Sequence, residues 1–315
     1  MVFAAGARRL AAMGLWQSTE TVRLVEALEA AGLRVLVLKG TALGAWLYSA
    51  PHLRAGGDLD LLFASRQDAE SAALILAAHG YPDGHAQGGL AYEMLRKPAS
   101  GASYALELDI HWRLLNAPVF AERLPFEALW AGSIPIPALS PRVRGLGPVH
   151  ALLHAAMNRA VNLYVGTGEV LKCLYDVHLL SALFDEAGWE RVVRLAEETG
   201  LCGVLHAALG ASQRLLGTQV SHAVHAALLR RIPEEGLDPE RLGDWAYMQR
   251  RSIEALPGRQ RLRWLWGRLV PDTDYLRSVH GADVPLPALF VAHYGRLVRR
   301  LFRSPPPPPP PGPGG

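Results

Sequence analysis

Two aspartates at the head of an apolar run, Asp58 and Asp60 in GDLDLLF, constrain this chain more than any other feature. Alternate side chains of a β-strand share a face, so both carboxylates project to one side. Leu59, Leu61 and Phe63 project to the other. A strand of this kind belongs in a sheet with one apolar face and one polar face. Two like charges that close raise each other's pKa unless something positive lies between them. The fold must therefore bring a positive charge to that polar face.

The residues upstream show how it is met. The run RVLVL, 34–38, reads as a short strand that stops at Lys39-Gly40-Thr41, after which ALGAWLY reads as a short helix. A helix N-terminus presents free N–H groups and a partial positive charge, which suits phosphate. Gly40 allows close backbone approach, and the Thr41 hydroxyl can donate to a phosphate oxygen. The positive group expected between Asp58 and Asp60 is then a divalent metal ion, Mg2+ with Mn2+ as an alternative, completed by water and substrate phosphates. Arg54 can hold a phosphate by its planar fork. Phosphoryl chemistry with paired metals needs a third carboxylate. The strand YALELDIHW, 104–112, supplies candidates, with Glu107, Asp109 and His111 on one face and Leu106, Leu108 and Ile110 on the other. Asp109 is the favoured third ligand and a candidate base for the attacking hydroxyl, with Glu107 as its rival.

The surrounding order is helix, strand, helix, strand, helix, strand, strand. Ser18 predicts the start of a helix over 18–31 that ends before Gly32. Pro51 ends the helical segment after Thr41. Ser65 with Asp68 resembles a capping box and opens a helix running to Gly80. Strands are expected near 91–97 and 103–112, with PASGA as the turn. Residues 18–116 thus read as a catalytic core of α+β type, a small mixed sheet with flanking helices. Five prolines from Pro118 to Pro141 mark 117–146 as a linker-like segment. Residues 147–303 read as mostly helical, with breaks at Gly188, Gly200, Gly217, Pro233 and Pro257. The tail, 304–315, is proline- and glycine-rich and reads as disordered polyproline II.

Half the residues are apolar, which provides a substantial core and excludes a disordered chain. The formal net charge of +3 excludes a strong overall field, although eleven arginines face four acids between Arg250 and Arg303. That stripe reads as solvated helix faces. Cys173 and Cys202 form neither a metal spacing nor a disulfide framework, which suits a reducing compartment. Arg8 and Arg9 interrupt the first apolar stretch, and no apolar window spans a membrane. A soluble cytoplasmic protein without membrane partners is expected.

Gly40-Thr41, Arg54, GDLDLL and ELDIHW together resemble the polymerase-β-type nucleotidyltransferase superfamily. The fuller string LKGTAL…LY…LR…GDLDLLF…ELDIHWRL is similar to a bacterial family of uncharacterised nucleotidyltransferases, as are HALLHAAMNRAV, LKCLYDVHLL and LVPDTDYLR. The resemblance runs from about residue 20 to 300. It implies a nucleotidyltransferase-type sheet followed by a helical region, with Asp58, Asp60 and Asp109 as metal ligands. Lys39, Gly40, Thr41, Arg54 and Gly57 would then be the nucleotide-binding candidates. Lys39, one of three lysines in the chain, stands where many superfamily members have a small residue, and the family resembles this chain in having Lys there. His154 and Asp176 match family positions of the same types, while Asn158 stands where the pattern often has histidine. His150 and His154 lie four apart on one helix face, and His154 is expected to pair with a carboxylate across two helices. His178, two residues after Asp176, is expected to face elsewhere. Trp46 and Trp112 read as core.

Three functions remain open on the sequence. One is nucleotidyl transfer from a nucleoside triphosphate to an acceptor hydroxyl or phosphate on a small molecule, a peptide or an RNA end. A second is glycosyl or sugar-phosphate transfer from a nucleotide sugar, which also uses an Asp-X-Asp metal pair. A third is an inactive binding module built on the helical half. The strand, Gly-Thr turn and short helix ahead of the aspartates favour the first.

Overall fold

A computed structural model describes residues 2–54, 56–86, 93–98, 106–270, 273, 276–277 and 285–301. The tail from 304 and most of the PASGA turn lie outside them. The architecture is α+β. A seven-stranded mixed sheet has the order β3-β4-β5-β2-β1-β7-β6. Its strands are β1 (Val35–Val37), β2 (Asp58–Phe63), β3 (Asp83–Ala86), β4 (Glu93–Lys97), β5 (Glu107–His111), β6 (Ile134–Ile136) and β7 (Ser140–Gly145). Central β2 runs antiparallel to β1 and parallel to β5.

Helices cover both faces. The first, α1 (Val2–Ala30), is longer than its sequence predicts. Ser18 does not cap it. Its hydroxyl donates back to the Gly14 carbonyl at 2.9 Å, inside the helix, because the alanine-rich segment ahead of Ser18 is itself helix-forming. Gly14 is tolerated there for packing. A Cβ at that position would lie 3.1 Å from Cβ of His52, on the 3₁₀ turn Pro51–Arg54. After β1 comes α2 (Lys39–Trp46), and after β2 comes α3 (Arg66–Ala78). Ser65 caps α3 by accepting from the Asp68 N–H, and its hydroxyl donates to the Asp68 carboxylate, a side-chain contact in place of the capping box's return bond to the cap's own N–H.

The segment expected to be linker-like is instead structured. It holds α4 (Pro118–Ala121), α5 (Phe126–Ala131) and the β6–β7 pair, and β7 extends the sheet in parallel with β1. The prolines punctuate elements here rather than exclude them. Pro118 opens α4, Pro125 precedes α5, and Pro135 lies on edge strand β6, where a missing N–H is tolerated.

The rest is helical: α6 (Pro148–Val165), α7 (Leu171–Ser181), α8 (Glu186–Thr199), α9 (Cys202–Leu216), α10 (His222–Glu235), α11 (Trp245–Ala255), α12 (Gly258–Leu269) and α13 (Leu286–Leu301). Gly166, Gly200 and Gly217 end α6, α8 and α9 in the left-handed conformation. Gly188 breaks nothing. It lies in the first turn of α8, where its N–H donates to the Asp185 cap. Pro233 is likewise accommodated inside α10, two residues before that helix ends. No helix among the described residues is long and apolar enough to cross a membrane.

Alternation along the central strands sorts their side chains between two cores. Val35, Val37, Leu59, Leu61, Phe63, Leu108 and Ile110 pack with α1 and α3. Leu36 and Leu62 join the larger core built with α6 through α11. Asp58, Asp60, Asp109 and His111 share the latter face, so the acidic patch lies on the side of the sheet that meets the helical region.

Candidate active site

The register of β2 and β5 assembles the acidic face. Asp58 pairs with Glu107, Asp60 with Asp109 and Leu62 with His111. The turn after β1 lies against the same strand end. Leu38 N–H donates to the Asp60 carbonyl at 3.0 Å, and a Cβ at Gly40 would be 3.9 Å from the Asp58 carbonyl oxygen. The N-cap residue of α2, Leu38, offers no side-chain cap, so among the described residues the first N–H groups of α2 are left open to an anion.

Asp60 is buried, and one of its oxygens takes two cationic partners. The Lys39 ammonium reaches Oδ1 at 2.7 Å, and Nε2 of His111 lies 3.1 Å from the same atom. Burial pushes the Asp60 pKa up, but Lys39 and then His111 outweigh it and hold the carboxyl well below the usual range. Burial pushes Lys39 down, and Asp60, followed by Asp58 and Asp109, more than reverses this. His111 is raised in the same manner, by Asp60 and by Glu93 against burial. Its Nδ1 lies 3.4 Å from Glu93 Oε2, a charge contact rather than a well-formed hydrogen bond.

Asp109 is the carboxyl left uncompensated. Burial, and then the charges of Asp60, Glu93 and Asp58, push its pKa up to about 7, with His111 opposing. Asp60, Asp109 and His111 each place a ligand atom so that all lie within 4.8 Å of one another. The half-buried Asp58 stands beside this triad, and a Cβ on Gly56 would lie 3.1 Å from its Oδ1. Glu107, on the same face and about half-exposed, meets Lys97 of β4 at 3.5 Å. Gly57 is exposed at the head of β2.

Arg54 has a different task from the one expected of it. It is buried against Asp176 of α7, with Nε and Nη2 each 2.7 Å from a carboxylate oxygen. The Tyr48 hydroxyl donates to the same carboxylate at 2.6 Å. Asp176 therefore does not pair with His154, contrary to expectation. His154 is fully buried, its Nε2 has no hydrogen-bond partner among the described residues, and burial drives its pKa down to about 3. It lines a cavity of about 10 Å³, room for roughly one water, together with Lys39, Trp46, Asn158, Cys173 and Asp176. His150 is partly buried, and burial lowers its pKa as well. Trp112 lies in the core under the Arg66 guanidinium, and Trp46 packs against both cores. His178 meets Thr218 at 2.9 Å, away from this cluster.

Sequence reasoning reached the acidic face through its period-two alternation. It missed the Arg54–Asp176 clasp, because a pairing across helices leaves no local pattern. It also gave no role to His111 or Glu93, although His111 follows Asp109 at the spacing that puts both on one face.

A family model described as an uncharacterised nucleotidyltransferase matches residues 4–217. The match takes in every element from α1 through α9 and excludes the segment LVPDTDYLR. Comparison with curated proteins and with solved structures gives no significant match.

Proposed function

The chain belongs to that uncharacterised nucleotidyltransferase family, and from this premise we propose that it moves a nucleoside monophosphate from a nucleoside triphosphate to an acceptor hydroxyl or phosphate. The observation that carries the proposal is the register pairing of Asp60 with Asp109 beside the uncapped start of α2. A cation site and an anion cradle thereby meet at one end of the central strands.

The donor set fits a divalent cation. Two carboxylates and an imidazole converge within 4.8 Å, and Asp109 is forced toward its neutral form by burial and then by its neighbours' negative charge. Carboxylates suit Mg2+, and the imidazole extends the fit to Mn2+. We assign Asp58, Asp60 and Asp109 as the ligands, with His111 adjoining. A bound divalent ion supplies neutralisation of triphosphate charge and of the charge that develops on the leaving oxygen.

The chain's own residues supply position. The N–H groups of Gly40 and Thr41 and the Thr41 hydroxyl hold the phosphates, and Gly57 leaves the approach to β2 open. The acceptor oxygen attacks the α-phosphorus and its proton passes to Asp109. The bond from the α-phosphorus to the bridging oxygen breaks, and pyrophosphate leaves. Orientation and charge stabilisation carry the catalysis. The Arg54 guanidinium, engaged by Asp176, has no place among the phosphate ligands in this scheme.

The test is calorimetric binding of each nucleoside triphosphate, and of common nucleotide sugars, with and without Mg2+. Wild type is compared with the Asp58→Asn, Asp60→Asn double variant. Triphosphate binding that needs Mg2+ and vanishes in the variant is expected. Binding of nucleotide sugars in place of triphosphates would overturn the reading in favour of sugar transfer.

A further inference from the structure

We propose that the Lys39 ammonium is a resident cation of the acidic site, standing where the second ion of a paired-metal centre would stand, so that the chain takes one divalent ion rather than two. This rests on the nucleotidyl-transfer reading and makes it more specific.

Lys39 is held in place from both backbone and side chain. It is the one non-glycine with positive φ among the described residues, at 33°. An L-residue enters that region at a steric cost, and persists there when its surroundings hold it. The residue just before it is tied to the aspartate strand by the Leu38 N–H to Asp60 carbonyl bond at 3.0 Å. At the other end the ammonium reaches Asp60 Oδ1 at 2.7 Å, on a side chain only 23% exposed. This strained start to α2 aims a largely enclosed side chain at one carboxylate oxygen.

The charges leave room for one further cation. Asp60 Oδ1 accepts from both Lys39 and His111. Asp58 and Asp109 remain, together with the second oxygen of Asp60. Paired catalytic ions stand roughly 4 Å apart and share a carboxylate. An ammonium at hydrogen-bond distance from the shared carboxylate fills the space that one of the two would need. It carries its charge permanently, without depending on the supply of a second ion.

The experiment counts Mn2+ bound to the full chain by the loss of free-ion electron paramagnetic resonance signal, with inorganic tripolyphosphate as a base-independent probe. Wild type is expected to bind one ion per chain. Lys39→Met and Lys39→Gly are each expected to bind two, and Lys39→Arg one. Glycine adopts positive φ without steric cost, so Lys39→Gly removes the charge without straining the backbone. Two ions on wild type, none on wild type, or one ion on both neutral variants would overturn the proposal. Calorimetric binding of nucleoside triphosphates with Mg2+ is scored separately. The expected ion counts without triphosphate binding would sink the nucleotidyl reading and leave the role of Lys39 standing. Triphosphate binding with two ions on wild type would do the reverse.

Discussion

Arg54 lays Nε and Nη2 on the two oxygens of Asp176, each at 2.7 Å, across 122 positions of the chain. Both side chains are almost wholly buried. The pair joins the segment leading into β2 to the helical region, and Tyr48 completes it. Removing one member leaves the other as an uncompensated buried charge. Asp176→Ala is expected to destabilise the protein by about 3–5 kcal/mol in urea unfolding. The double variant Arg54→Met, Asp176→Leu should recover much of that loss. A single variant within about 1 kcal/mol of wild type would show that the clasp contributes little.

Asp58 and Asp60 should behave differently as asparagines, although both lie on one face. Asp60→Asn strands the Lys39 and His111 cations, and is expected to cost about 3 kcal/mol or more. Asp58→Asn removes a charge that repels Asp109, and stability should stay within about 1 kcal/mol of wild type. Both should abolish turnover. Equal melting temperatures for the two variants would contradict the assigned contacts, and wild-type turnover by Asp58→Asn would remove it from the metal ligands.

Asp109 makes cation binding depend on pH. Its carboxyl sits at about 7 against an ordinary 3.8. Below 7 a divalent ion must displace a proton, so affinity should climb by up to about tenfold per pH unit to pH 7 and then level off. Without metal, the native chain keeps this proton while the unfolded chain releases it between those two values. Asp109's contribution to stability therefore falls as pH rises through that window. Calorimetric Mn2+ titrations from pH 5.5 to 8 should show the climb in wild type and in Glu107→Gln, and a flat profile in Asp109→Asn. A flat profile in Glu107→Gln instead would identify Glu107 as the third ligand.

His154 works in the opposite direction. Its pKa of about 3 against an ordinary 6.5 means that the unfolded chain takes up a proton that the native chain refuses. Stability from this residue is therefore lost as pH falls below 6.5, by up to about 1.4 kcal/mol per unit. Urea unfolding between pH 7 and 4.5 should give a shallower slope for His154→Gln than for wild type. Parallel slopes would mean that His154 is hydrated in the folded state.

What the sequence revealed depended on the range of the interaction. The aspartate strand, its partner β5 and the Gly-Thr turn were legible because period-two alternation and helix starts are local. Ser65 and Asp68 were legible for the same reason. Strands β6 and β7 were hidden by their prolines, which mark turns and sheet edges alike. The start of α1 was hidden because Ser18 carries a cap residue's chemistry and here spends it on the preceding turn. Arg54 was misread because a guanidinium suits phosphate and carboxylate equally, and only the fold brings Asp176 to it.

The pairing of β2 with β5 has one further consequence. A slip of a single residue in that pairing would turn Leu108 and Ile110 toward the acids and Asp109 into the core beneath α1 and α3. Core and pocket are thus two readings of one alignment. A misaligned chain could not stay compact and merely lack activity, because the error that dismantles the ligand cluster also floods the interior with charge. Folding itself proofreads the site.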